Sequence, residues 1–344
     1  MSTDKPERRS HNSQLTTHNR LRPVLIGALL ALALLGGPSV HAASGTVDVF
    51  YAGSLVNINE NLVGPAFGAV TGYTYQGRGA GSLAIANQIK GKIATPDVVE
   101  FADPAVNRAL MGDANGNYVS WYFTFARSEL VIGFDARSRY AQAFRAVQPG
   151  TRKRVSLPWY KALEQNGLRM GRTDPNLDPK GYRALFMAGL AERVYHLNGF
   201  KSRVFGSDTN TSQIFPEEVL VARMLTGQLD AGVFYLSEVR DLGIPYISLP
   251  PQVNLGSIKY AKLYATQHFT PATGARITGA PILYTITIPS TVKNRAGAEA
   301  FVRFVLGKRV RTISAAHGLL SLKVKVGGSV GSVPSSLANF IGKQ

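Results

Sequence analysis

Cysteine is absent from the 344 residues. That excludes a disulfide scaffold, a thiolate nucleophile, an iron–sulfur cluster and any Cys-ligated zinc site. Histidine is nearly as scarce. Only His11, His18, His41, His196, His268 and His317 occur, and the first three lie in a segment read below as a leader. Three scattered imidazoles argue against a His-rich metal site and against a His-based triad. Acidic residues are also few, 21 Asp+Glu against 38 Lys+Arg. Long apolar runs are missing too. Val24–Leu35 has 12 residues where a membrane span needs about 20, and nothing after it is long enough. What is present is 45% hydrophobic residues, enough for a packed core and too many for wholesale disorder. The length holds about two domains' worth of chain.

The run Val24–Leu35 follows Arg20 and Arg22 and is followed by Gly36, Gly37 and Pro38. Val40, His41 and Ala42 then form a small-residue exit before Ala43. This is the pattern of a secretory signal peptide, residues 1–42, so the mature chain is expected to be exported to the periplasm. Without cysteine it has no lipid attachment point. Five of the basic and two of the acidic residues lie in the leader, so the mature chain keeps 33 and 19, a net charge of +14. Such a field concentrates anions and speeds their capture. Nucleic acid is not expected. Apart from Arg152, Lys153 and Arg154 the basic residues are dispersed, and no zinc-finger or RRM signature occurs. A small anionic ligand fits better.

Strand-like and helix-like segments alternate along the mature chain. Val47–Tyr51, Thr74–Gln76, Asp97–Phe101, Glu129–Phe134, Ser202–Phe205, Ala231–Leu236, Tyr246–Leu249 and Ile282–Ile288 read as strands. Ser54–Val70, Ser82–Lys90, Pro158–Glu164, Pro179–Tyr195, Pro216–Leu225, Ala296–Leu306 and Arg309–His317 read as helices, with a further one opened by Asp103 and Pro104. The alternation predicts an α/β fold with mixed, largely parallel sheets. Two lobes with a cleft between them are expected, because ligands favour such interfaces. From Val326 the sequence turns Gly/Ser-rich and reads as a loose tail.

Four helix starts carry polar side chains where unpaired N–H groups and a partial positive charge suit an anion. Two are Gly53-Ser54-Leu55 and Gly81-Ser82-Leu83, each preceded by alanine and each following a possible strand. Glycine lets a ligand approach the backbone, and serine adds a hydroxyl donor. The other two are Asp174–Arg183, with Asp178 before Pro179, and Phe215–Val219, with Glu217 and Glu218 after Pro216. Simple capping, worth about 1 kcal/mol, would account for each serine or aspartate taken alone. Gly77–Ser82 is not a dinucleotide fingerprint, and no Walker loop is present.

These pieces, in this order, resemble the periplasmic tungstate/molybdate-binding proteins of ABC transporters, in the branch best known from archaea. The matching segments are VFYAGSL (Val49–Leu55), GAGS (Gly79–Ser82), PDVVEFAD (Pro96–Asp103), WYFTFARSELVIGF (Trp121–Phe134), DPNLDPKGYRAL (Asp174–Leu185), FPEEV (Phe215–Val219), GQLDAGVFYLSEV (Gly227–Val239), LPPQVNLG (Leu249–Gly256) and PILYTITIP (Pro281–Pro289). They cover nearly all of the mature chain. The resemblance implies a two-lobe periplasmic-binding-protein fold (Venus-flytrap, type II). Lobe 1 would hold 45–124 plus 280–325, lobe 2 would hold 125–279, and 326–344 would be a C-terminal tail. It implies an octahedral metal centre with two protein carboxylates, which fall on Asp178 and, in the Pro-x-Glu-Val frame, on Glu218. A slip of one residue would move the second to Glu217. Ser54 and Ser82 match donors to the ligand's oxygens, and Tyr235 matches a tyrosine near it. Arg78 is open between a ligand contact and a solvated side chain. A monomer without resident cofactor, delivering its anion to a membrane permease, completes the expectation.

Two acids in an oxyanion site need a reason, since carboxylates about 4 Å apart repel by roughly 4 kcal/mol at an effective dielectric near 20. Hexavalent tungsten or molybdenum supplies one, because the metal can add ligands and accept carboxylate oxygens directly. Sulfate cannot, so the pair would reject it. The alternatives are a binding protein for another oxyanion such as sulfate or phosphate, and an exported hydrolase. The latter lacks a nucleophile–base pair and a Gly-x-Ser-x-Gly elbow.

Overall fold

The computed structural model describes residues 45–147 and 157–342. The signal-peptide segment and the basic cluster Arg152–Arg154 lie outside the described residues. Twelve strands are described: β1 (Thr46–Ala52), β2 (Thr74–Ala80), β3 (Val98–Phe101), β4 (Trp121–Arg127), β5 (Leu130–Phe134), β6 (Met170–Gly171), β7 (Ala231–Tyr235), β8 (Tyr246–Ser248), β9 (His268–Phe269), β10 (Ile277–Thr278), β11 (Leu283–Thr287) and β12 (Leu320–Gly328). They build a six-stranded sheet in the order β12-β4-β11-β3-β1-β2, a four-stranded sheet in the order β6-β7-β5-β8, and the small hairpin β9-β10.

In the first sheet β1 runs parallel to both β2 and β3, while β11 and β12 pair antiparallel with their neighbours. In the second, β6 is parallel to β7, and β5 is antiparallel to β7 and β8. The sheets are therefore mixed, and antiparallel pairs outnumber parallel ones among the described residues. The parallel pairs have a shared consequence. The carboxyl ends of β1, β2 and β3 lie along one edge of the first sheet, where α/β proteins place their ligands. The chain crosses to the second sheet through Ser128 and Glu129 and returns just before β11. The two crossings are tied by a hydrogen bond from Ser128 N to Ile282 O, 3.3 Å.

Local sequence explains most elements. β1 alternates buried Val47, Val49 and Tyr51 with more exposed neighbours, as a strand packed on one face requires. Arg295–Leu306 is a helix whose Ala298, Phe301, Val302, Val305 and Leu306 form one buried stripe. Asn294 caps it by accepting from Gly297 N at 3.0 Å. Phe67, fully buried on the helix Gly64–Thr71, meets the edges of Phe301 and Phe304 with ring centroids 5.1 and 5.6 Å away.

Two expectations are corrected here. Ser202–Phe205 is not a strand but part of a helix, Phe200–Phe205, because buried Phe200, Val204 and Phe205 recur at helical spacing. The Gly/Ser-rich segment from Val326 is not loose. Val326–Gly328 complete β12 against β4, Leu337 is fully buried, and the Phe340 ring meets Phe123 at 6.1 Å. Composition alone missed these few apolar anchors. The outer strand β12 exposes Lys323 and Lys325, which discourage edge-to-edge pairing.

Glu100, on β3, is a fully buried acid that accepts from Asn59 Nδ2 at 2.6 Å. Burial pushes its pKa up to about 7, only partly offset by the Asn59 bond. Because the folded value is raised, the folded chain holds a proton that the unfolded chain releases near pH 4.3. The resulting stability is fully present below that pH and is lost as pH rises through 7. Urea unfolding between pH 4 and 8 should show this decline, and Glu100→Gln should flatten it by up to about 3 kcal/mol across the range.

Candidate functional site

The second sheet repeats the logic of the first. β6 leads through Arg172 to Asp178, the parallel bridge at Ile214 leads to Glu217, and β7 ends at Tyr235. The carboxyl ends of both sheets thus deliver polar residues to one place. Gly53 packs so closely on Glu217 that a Cβ there would lie 2.6 Å from its Cγ. At Gly81 a Cβ would lie 2.3 Å from the Leu177 carbonyl oxygen and 3.3 Å from the Asp178 Cβ. The two glycines are the condition for these turns to touch the opposing helix starts.

Neither serine caps its helix. Ser54 is buried in a short 3₁₀ turn and pairs with the Tyr284 hydroxyl at 2.9 Å. Ser82, fully buried, accepts from Ala102 N at 3.2 Å, which leaves its own proton to donate. The helix Ser82–Lys90 directs its first N–H groups at protein rather than open cleft. Leu83 N and Ala84 N both donate to Leu177 O at 3.1 Å. Tyr235 is buried, its ring 6.2 Å from that of Tyr284, and its hydroxyl accepts from Arg183 Nη1 at 2.7 Å.

Asp178 caps the helix Pro179–Tyr195, its Oδ1 accepting from Lys180 N at 2.6 Å. Of the two glutamates after Pro216, the helix phase turns Glu217 inward at the first turn of the helix Glu217–Leu225 and leaves Glu218 facing solvent, so it is Glu217 that the structure brings beside Asp178. Glu217 Oε1 accepts from Lys180 Nζ, while no amine, amide or hydroxyl donor reaches its buried Oε2. Arg78 is exposed with its guanidinium over the Phe50 ring, so the open question about it resolves to a surface position.

Sequence inspection did not single out Lys180, Glu238 or Arg183 as site residues. Lys180 Nζ is wholly buried and also donates to Glu238 Oε1 at 2.6 Å, and Glu238 Oε2 accepts from Tyr235 N at 2.7 Å. Arg183 bridges to the first sheet, donating to Ala102 O and Asp103 Oδ2, both at 2.7 Å. Tyr182 donates to the same Asp103 oxygen at 2.7 Å. The spacing Asp178-Lys180-Tyr182-Arg183 on one helix start was the available signal.

The electrostatics follow. Burial and the neighbouring Glu217 carboxylate push Asp178 up to about 7. Burial is the largest influence on Glu217 and would raise it, but the Lys180 charge together with hydrogen bonds from Glu238, Lys180 and Asp178 holds it below the ordinary carboxylate range. Burial and Glu217 push Glu238 well up. Burial opposes the charge on Lys180, yet Glu217, Glu238 and Asp178 keep the ammonium above its usual value. Among the described residues no group of three or more His, Asp or Glu side chains is arranged to hold a metal ion.

The fold is the mixed α/β periplasmic-binding-protein fold. The molybdate-binding protein of Azotobacter vinelandii superposes with a TM-score of 0.50 at 18% identity, over 80% of this chain and 98% of its own. L-phospholactate-bound PEB3 superposes with a TM-score of 0.51 at 9% identity, over 80% and 99%. Residues 47–320 match the model of the bacterial extracellular solute-binding proteins, and the chain belongs to that family. Among curated relatives, an uncharacterized solute-binding protein of Petrotoga mobilis is 32% identical over 87% of this chain and 90% of its own. A putative ABC transporter molybdenum-binding protein of Haloferax volcanii is 32% identical over 77% and 78%. A molybdate/tungstate-binding protein of Pyrococcus abyssi is 28% identical over 83% and 87%.

The close approach at Gly81 gives a direct test. Gly81→Ala must push the turn away from Leu177 O, so the variant should lose about 1–3 kcal/mol in urea unfolding, the usual cost of overpacking. Gly112→Ala would meet no atom within 4 Å, although its φ of +78° adds local strain. A larger loss for Gly81→Ala than for Gly112→Ala identifies the contact, rather than glycine's flexibility, as the cause.

Proposed function

We propose that this chain captures tungstate or molybdate between its two sheets and delivers it to the permease of an ABC transporter. It acts as a monomer, in the periplasm after removal of the signal peptide, by binding and not by catalysis, and it needs no resident cofactor. The observation that carries the reading is the buried Oε2 of Glu217, which no amine, amide or hydroxyl donor reaches and which has only carboxyl neighbours such as Asp178, opposite the Gly53-Ser54 and Gly81-Ser82 turns. A buried acceptor without such a donor costs about 1–3 kcal/mol. Coordination to a hexavalent metal would offset that cost, with Asp178 giving the second carboxylate oxygen. Ser54 and Ser82 then donate to the anion's own oxygens, and Tyr235 lies at the wall with Tyr284. The names of the Haloferax and Pyrococcus relatives agree with this cargo. The lobes would close about the Ser128 and Ile282 crossings, with the segment after Val326 belonging to the first lobe.

Sulfate or phosphate is the competing cargo. Sulfate can neither accept a carboxylate oxygen at its centre nor donate a proton, so it would face two acids and gain nothing from them; phosphate could meet them only through its P–OH, without a bond to its centre. Tungstate and molybdate should raise the unfolding midpoint of the mature protein, while sulfate and phosphate should leave it unchanged, since only a ligand of the folded state shifts it. Asp178→Asn and Glu217→Gln should each weaken tungstate binding by about 100-fold in calorimetry, two factors of ten at about 1.4 kcal/mol each. Glu218→Gln should bind as the unmodified protein does. A stronger shift with sulfate, or a loss at Glu218 with none at Glu217, would overturn the assignment.

A further inference from the structure

Lys180 is the residue whose placement the proposed chemistry leaves unexplained. A fully buried ammonium two residues from one acid and bonded to another is an unexpected neighbour for a metal site. Its contacts are specific. The backbone N–H of Lys180 occupies Oδ1 of Asp178, its Nζ occupies Oε1 of Glu217, and the same Nζ reaches Oε1 of Glu238. The ammonium also lies over two aromatic rings, with Nζ 5.2 Å from the Phe234 centroid and 5.7 Å from that of Tyr235. Glu238 is in turn fixed by Tyr235 N. One residue therefore takes an oxygen from each acid and is itself held on several sides.

We infer that Lys180 sets the selectivity of the site: it limits Asp178 and Glu217 to one free oxygen each and supplies the positive charge that lets a dianion enter beside them. The inference rests on the proposed oxyanion reading of the same site. Each acid then offers a single bond to the guest instead of chelating it, which suits a metal already carrying four oxo groups. The charge matters because the Glu217 carboxylate would otherwise repel an anion, and at short range in a dry site such repulsion is strong. Lys180 is a positioning residue, since it acts through the two acids and touches no guest.

Lys180→Gln tests this, because an amide can still donate to Glu217 while carrying no charge. Folding of the variant is checked by circular dichroism and by its unfolding midpoint. The expected result is a folded protein whose tungstate affinity falls at least tenfold. The expected molybdenum K-edge spectrum shows a six-coordinate centre in the unmodified protein and loss of the carboxylate bonds in the variant. Glu238→Gln serves as a second variant should Lys180→Gln fail to fold. It removes an acid from the ammonium and should tighten or preserve binding, whereas a tenfold loss there would overturn the charge argument. Unchanged affinity and spectrum in folded Lys180→Gln would overturn the role of Lys180 and leave the cargo assignment standing. An unmodified protein that binds neither tungstate nor molybdate would instead remove the cargo assignment itself.

Discussion

The arrangement depends on a lysine ammonium buried between carboxylates. An ion pair in this position contributes little net stability, because desolvation of both charges consumes most of the Coulomb gain. Breaking it is costly all the same, since the partner left behind would be a buried charge without compensation. The pair therefore works as a constraint. It holds Glu217 inward against the glycine turn of the opposite sheet and ties the start of the helix Pro179–Tyr195 to the helix Glu217–Leu225. Through Glu238 it reaches the end of β7. Three segments far apart in sequence are brought to one point by a single side chain.

A second network complements it. Arg183, three residues on, leaves the second sheet's helix to bind Ala102 and Asp103 at the end of β3, and Tyr182 adds a bond to the same aspartate. Leu177 O accepts two N–H groups from the helix Ser82–Lys90. One helix start and the turn before it thus carry Asp178, the lysine bonded to Glu217 and Glu238, and the contacts that join the two sheets. On the proposed reading, binding and closure would share residues, and the guest and the closed arrangement would stabilise each other by linkage.

Much of this was legible in the sequence. The β–α alternation, the paired Gly-Ser turns and the Asp-Pro helix start are local signals, and the structure brings Ser54, Ser82, Asp178 and Tyr235 together. What was not legible depended on phase and partner. Glu217 and Glu218 are equivalent as letters, and only the buried face of a helix nine residues long separates them. Lys180 reads as an ordinary first-turn residue until Glu217, 37 positions away, and Glu238, 58 positions away, are brought to it. The antiparallel strands β4 and β12 escaped because their partners are distant, and the Gly/Ser composition after Val326 hid the apolar residues that dock it.

Backbone N–H groups at a helix N-terminus attract any acceptor, and sequence cannot tell which acceptor will arrive. At Ser82 the arriving acceptor is Leu177 O, so the partial positive charge of that helix helps to join the sheets. At Asp178 it is the residue's own side chain, through Lys180 N. The first backbone N–H groups at these two helix starts are therefore already partnered, while no amine, amide or hydroxyl donor reaches Oε2 of Glu217. An anion entering such a site is not drawn by helix dipoles alone. It must offer something a carboxylate can bind, and a fully deprotonated oxyanion meets that condition only through a central atom able to expand its coordination.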